Sequence, residues 1–219
     1  MFIEKLSSDP EHFVYVVVTM VFSIVLHELA HGWAAIWQGD RTPIETGHMT
    51  IDPRVHMGAI SLIMLAVMGM CFGAMPVDPS RFRSRYGNAL VSAAGPLMNL
   101  LLAFLALTGI AIWMVVAGGP SKLSVQSGNM VQFLSVFGVS NIALCLFNLI
   151  PIPPLDGATV LANLHKGYAR VLRKVQEPRM FLVALIVVVI ILSSNGYGPF
   201  QIAAEIAGSY VRWTISILM

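Results

Sequence analysis

Residues 21–37 read VFSIVLHELAHGWAAIW. Three ionisable side chains, His27, Glu28 and His31, stand inside a run otherwise apolar enough to lie in a bilayer. Each such group costs roughly 2.5–3.5 kcal/mol or more at the bilayer centre, so something must offset the cost. On a helix, His27 and His31 are four positions apart, project from one face and can bind one metal ion together. Glu28 then stands beside the first ligand, placed to polarise water on that metal. The alternative is a hydrogen-bonded polar cluster between helices.

The rest of the chain agrees with a membrane setting. Its 219 residues are 57% hydrophobic and 11% charged, with a mean hydropathy of +0.77, which is too apolar for a water-soluble domain of this length. The fold class expected is an all-α polytopic membrane protein. A net charge of +2, from 13 Lys/Arg against 11 Asp/Glu, is too even to suggest a nucleic-acid partner. Cys71 and Cys145 lie in apolar runs without metal-ligand spacing, so they read as buried free thiols and not as a disulfide framework. The first apolar run is too long for a secretory signal, and no small-residue cleavage site ends it, so it reads as retained.

Runs near 13–37, 89–117, 129–150 and 180–195 are each about long enough to cross a ~30 Å hydrocarbon core, the last only marginally. A fifth run, 57–77, is interrupted by Gly69 and Gly73 and closed by Pro76. The tail 197–219 carries Glu205 and Arg212 and reads as a short span or an interfacial helix. Four to six membrane helices result. Between residues 38 and 56, the stretch GDRTPIETGHMTIDPRVH mixes turn formers with alternating polar and apolar positions, which predicts a small β-hairpin at the membrane surface. VDPSRFRSRYGN at 77–88 is a basic loop, and the prolines of IPIPPLDG at 150–157 must unwind the helix that ends near Asn148. No repeat or linker divides the chain, so residues 1–219 read as a single domain.

A catalytic zinc usually takes three protein ligands and keeps a position open for water. Asp156 is the best third candidate, because irregular backbone at membrane depth is tolerated only where it is buried in protein or lines a hydrated cavity. His48, Asp52 and His56 are its rivals. Taken alone, PPLDG could equally be a turn whose Asp faces water.

HELAH, AAGPLMN at 93–99 and FNLIPIPPLDG at 147–157 together resemble, in order and spacing, the site-2 protease-like intramembrane zinc metalloproteases, peptidase family M50. The resemblance runs from about residue 13 to 165, leaving 166–219 as C-terminal helices. It implies one zinc per chain on His27, His31 and Asp156, with Glu28 as general base and acid. It also implies that Asn148 helps bind substrate or stabilise the tetrahedral intermediate, and that the substrate is a transmembrane protein or peptide. GHMTIDPRVH resembles the membrane-associated hairpin of bacterial members, with Asp52 where many have Asn and a shortened stretch after His56. Asn99 falls on a motif position that could simply serve helix packing. No PDZ or CBS segment is expected.

Requiring the ligands to meet constrains the topology. His31 lies about 9 Å from the end of its run at residue 37, and Asp156 follows the end of its own helix, so both spans must point the same way. The run 57–77 should therefore enter the membrane and return to the same face, with Gly69 and Gly73 permitting the turn. Arg41, Arg54, Arg81, Arg83, Arg85, Lys166, Arg170, Arg173, Lys174 and Arg179 then share one side, against Lys5 and Lys122 on the other. The positive-inside rule puts that side in the cytoplasm, consistent with a bacterial or archaeal cell membrane. A membrane transporter for copper or zinc is a competing function, since Met64, Met68, Met70, Cys71 and Met75 are soft ligands, although Met also fills apolar gaps. An inactive scaffold of the same fold is another. Nothing in the zinc motif is missing.

Overall fold

The computed structural model describes residues 2–118, 125–174, 180, 183–184, 186–188, 190 and 198–219. After a short turn, α1 (Lys5–Ser8), the long helix α2 (Pro10–Gln38) opens with Pro10 in its first turn and Asp9 accepting from the His12 N–H at 3.2 Å. It stops at Gly39, whose φ of 101° lets its N–H return to the Ala35 and Ile36 carbonyls. A single turn, α3 (Thr42–Glu45), leads to α4 (Pro53–Met68). Then follow α5 (Gly87–Val116), α6 (Val125–Asn148), α7 (Asp156–Leu164), α8 (Lys166–Lys174) and α9 (Pro199–Leu218).

Among the described residues, three helices are long and apolar enough to cross a membrane, at Pro10–Gln38, Gly87–Val116 and Ser127–Asn148. The run 180–195, expected as a further span, lies largely outside the described residues. The tail is the helix α9, which lies along α5 and α6. Its Ala203 and Ala207 are buried against Ala103, Leu107, Ile110, Ile142 and Ala143, where small side chains permit close approach. Tyr210 and Thr108 hydroxyls meet there at 2.7 Å.

Side-chain pairs set the helix directions. Tyr15 packs on Phe133, Phe22 on Phe137, and Asn141 bonds Ser23, so α2 and α6 are parallel. His27 meets Asn99 while His31 meets Val91, so α5 is antiparallel to α2. The ends of α2 and α6 and the start of α5 therefore share one end of the bundle.

The run 57–77 returns to that same end. The chain bends at Gly58 (φ 65°, ψ 170°), continues as helix to Met68, and reverses at Gly69 (φ 73°) into an extended strip. Ser61 Oγ donates to the Phe72 carbonyl at 2.6 Å and accepts from the Phe72 N–H at 2.9 Å, and the Ala74 N–H donates to His56 O at 3.0 Å. The loop then reaches the end of α2: the Asp78 N–H donates to Asp40 at 2.7 Å and the Arg83 N–H to Gln38 O at 2.8 Å. Gly69 makes the turn. Gly73 does not, and has a different use described below.

The β-hairpin expected between 38 and 56 is not formed, and there is no strand among the described residues. Asp40 is the reason. Its fully buried carboxylate accepts from the Thr42 N–H and hydroxyl, and the Arg41 carbonyl accepts from Ile44 and Glu45, so donors that a ladder needs are spent in a local turn. Pro43 and Pro53 supply no donor at all.

Candidate metal centre

Both histidines lie one turn apart on the buried face of α2, and α5 fixes their rings from the far side. His31 Nδ1 is 2.7 Å from Val91 O, which can only accept, so Nδ1 carries the proton. His27 Nδ1 is 2.6 Å from Asn99 Oδ1, and the orientation of that amide follows from a chain of bonds. Asn141 Nδ2 donates to the Phe137 carbonyl and to Ser23 Oγ, leaving Asn141 Oδ1 to accept from Asn99 Nδ2 at 2.9 Å. Asn99 Oδ1 is thereby turned to His27, whose Nδ1 must also donate. Asn99, Asn141 and Ser23 are all fully buried.

With both Nδ1 atoms protonated, both Nε2 lone pairs point inward, 3.0 Å apart. Asp156, at the first turn of α7, brings Oδ2 to 3.2 Å of His27 Nε2 and Oδ1 to 3.5 Å of His31 Nε2. One ligand atom from each of the three residues lies within 4.8 Å of the other two. Two imidazole lone pairs and a carboxylate converging on one point form a donor set suited to a divalent cation such as zinc, and not a self-satisfied hydrogen-bond cluster. The backbone makes room for it. A Cβ on Gly95 would stand 2.5 Å from Nε2 of both His27 and His31. A glycine inside a helix costs roughly 0.5–1 kcal/mol relative to alanine, and here it keeps the face of the centre open.

Glu28 is buried beside this point, and the extended strip passes directly over it. A Cβ on Gly73 would lie 2.5 Å from Glu28 Oε1, so this glycine permits close approach and not a turn. Strip, α2, α5 and α6 enclose a cavity of about 470 Å³ that His27, Glu28, His31 and Asp156 line, with apolar walls from Ile24, Leu144 and Phe147. Asn148 also lines it, with Nδ2 donating to Leu144 O at 3.0 Å and its second N–H left over.

The rival ligands are engaged elsewhere. Asp52 caps α4, and the side-chain and backbone hydrogen bonds of Arg54 hold its carboxyl down to about 2. His48 Nδ1 bonds Thr46, and His56 Nε2 donates to Thr50 O at 2.6 Å. The soft-ligand run is dispersed, because Met68 and Met70 are exposed whereas Cys71 and Met75 line the cavity. Sequence reasoning missed Asn141 and Gly95. The signal for Asn141 was an amide in the middle of the apolar run 129–150, which in a membrane must find a partner.

The fold and the centre define an α-helical membrane protein in which two buried histidines and a partly buried aspartate form a group able to hold a metal. The chain belongs to peptidase family M50, whose family model matches residues 15–118 and 111–194. It is 35% identical over 201 residues to "Putative zinc metalloprotease YwhC" of Bacillus subtilis, covering 91% of this chain and 84% of that protein. It is 29% identical over 192 residues to "Putative zinc metalloprotease Rip2" of Mycobacterium tuberculosis, covering 84% and 70%. No solved structure matches the chain.

Proposed function

We propose that this chain is an intramembrane zinc metalloprotease, hydrolysing a peptide bond within or near a transmembrane segment of a membrane-protein substrate. The observation that carries the reading is the convergence of the His27, His31 and Asp156 ligand atoms beside Glu28, in a cavity at the ligand-bearing end of three membrane-length helices. One zinc per chain, held by those three residues, would supply Lewis acidity to a substrate carbonyl and lower the pKa of water toward ~7. Glu28 then takes the proton of the attacking water and returns it to the departing amine. Asn148 directs its remaining N–H toward the developing oxyanion. Asn99 and Val91 hold the imidazoles in the tautomer that presents Nε2.

A transmembrane helix hides its carbonyls in i to i−4 bonds, so the substrate segment must unwind before it can react. The apolar walls suit such a segment, and the extended strip at 70–77 offers a surface along which it can lie. The cations gathered at that end of the chain, read with the positive-inside rule, support a centre on the cytoplasmic side of a cell membrane.

Metal analysis combined with cleavage of a panel of single-span membrane proteins tests the reading. Equimolar zinc is expected, with cleavage inside the span. His27→Ala, His31→Ala and Asp156→Ala should lose metal, whereas Glu28→Gln should keep it and lose turnover. An active Glu28→Gln would overturn the mechanism, and copper uptake without cleavage would favour a transporter instead.

A further inference from the structure

Helix α8, KGYARVLRK, takes no part in the centre, yet its chemistry is sharply divided. Lys166, Arg170, Arg173 and Lys174 are spaced by four, three and one, which gathers them into a stripe about 100° wide. Tyr168, Val171 and Leu172 occupy the opposite side. The Tyr168 hydroxyl donates to Pro151 O at 2.6 Å, so Tyr168 turns to the protein and the cations lie on the other side of the helix.

All four cations are exposed. Among the described residues no carboxylate pairs with any of them, and their side chains make one hydrogen bond, from Arg170 Nε to the Lys166 carbonyl at 3.4 Å. Val171, on the apolar side between Tyr168 and the edge of the stripe, and Leu164, at the end of α7, are more than half exposed. Position completes the argument. Asn163 donates to Arg85 O, placing α8 at the ligand-bearing end of the bundle. The apolar run MFLVALIVVVIIL begins at residue 180, six positions after Lys174 and directly after Arg179. A cationic helix that close to a membrane entry, with an apolar flank, matches the physics of interfacial binding to anionic lipid.

We propose that α8 lies in the headgroup layer and binds the phosphodiesters of anionic phospholipids through Lys166, Arg170, Arg173 and Lys174. Four cations in one stripe collect anionic lipid around the loop that carries Asp156, and no step of the proposed hydrolysis is needed for that contact.

The test uses the full chain with Cys71 and Cys145 replaced by Ala and a fluorophore on Val171→Cys, reconstituted in phosphatidylcholine vesicles. Either brominated phosphatidylglycerol or brominated phosphatidylcholine is added at the same low mole fraction, and quenching is compared. Preferential quenching by the anionic lipid is expected, weakened by salt. The relative affinity for the anionic lipid, titrated by this quenching, should fall up to about fivefold for each cation replaced by Gln, reaching equality in the fourfold variant, while Arg170→Lys with Arg173→Lys retains it. Equal quenching by the two lipids in the parent chain would overturn the proposal. So would no quenching by either, which would mean that α8 stands in water or on another protein.

Discussion

His27 Nδ1 lies 2.6 Å from Asn99 Oδ1, and neither side chain is exposed to solvent. This bond decides which nitrogen of His27 faces Asp156. Asn99→Leu should therefore weaken zinc binding about 10- to 100-fold in a chelator-competition titration, whereas Asn99→Asp, which keeps an acceptor for Nδ1, should lose far less. Asn141→Leu should fall between them, because it frees the Asn99 amide to turn. Equal affinities for the Leu and Asp variants would show that Asn99 only fills space.

Gly95 and Gly73 separate the metal from the base. A Cβ at Gly95 meets both Nε2 atoms, so Gly95→Ala should abolish metal binding. The three atoms nearest a Cβ at Gly73 all belong to the Glu28 side chain, so Gly73→Ala should keep the metal and depress turnover by displacing the carboxylate. Gly109, also in α5, has nothing within 4 Å of its would-be Cβ, and Gly109→Ala should leave metal and turnover unchanged while adding up to ~1 kcal/mol of stability. Metal content and cleavage rate measured on the same preparations distinguish the three.

Asp40 should couple stability to acid. Burial pushes its carboxyl up, but the hydrogen bonds from Thr42 and from the Asp78 N–H outweigh this, with help from Arg81, and hold it below its ordinary value. A carboxyl depressed in the folded state contributes stability that is fully present above its unfolded value of ~3.9 and is lost as pH falls through the lower folded value. Thermal melts in detergent should therefore show a loss in that acidic window that Asp40→Asn lacks. At neutral pH the Asn variant should melt lower, having lost about 1–3 kcal/mol of stability for each buried donor left unpaired.

The return of residues 57–77 is open to a labelling test in intact cells. In a chain without Cys71 and Cys145, Ser84→Cys and Asn163→Cys should be protected together from an impermeant thiol reagent while Ser121→Cys reacts. Opposite behaviour of 84 and 163 would contradict a shared end for these loops.

What could be read from the sequence was whatever depends on short spacings and on solvent. Hydropathy alone separates membrane-length runs from loops, and an i, i+4 histidine pair with an adjacent glutamate has one helical geometry whatever surrounds it. The return of 57–77 to the end of the bundle that holds the ligands also followed from spacing, because two helix ends that must meet at one point leave few topologies. The hairpin at 38–56 failed for a complementary reason: its alternation was local, but the donors were spent in a turn around Asp40 and the Arg41 carbonyl, and Asp40 is held there by the Asp78 N–H from a distant loop. Likewise Asn99 and Asn141 look like ordinary polar residues in apolar helices, and Gly95 and Gly73 like ordinary glycines. Their roles arise only when α5, α6 and the extended strip are packed against α2, since a hydrogen-bond direction and a missing Cβ have meaning only relative to atoms far away in the chain. The residue types of the centre were thus set locally, whereas tertiary packing selected the tautomer, the third partner and the open face.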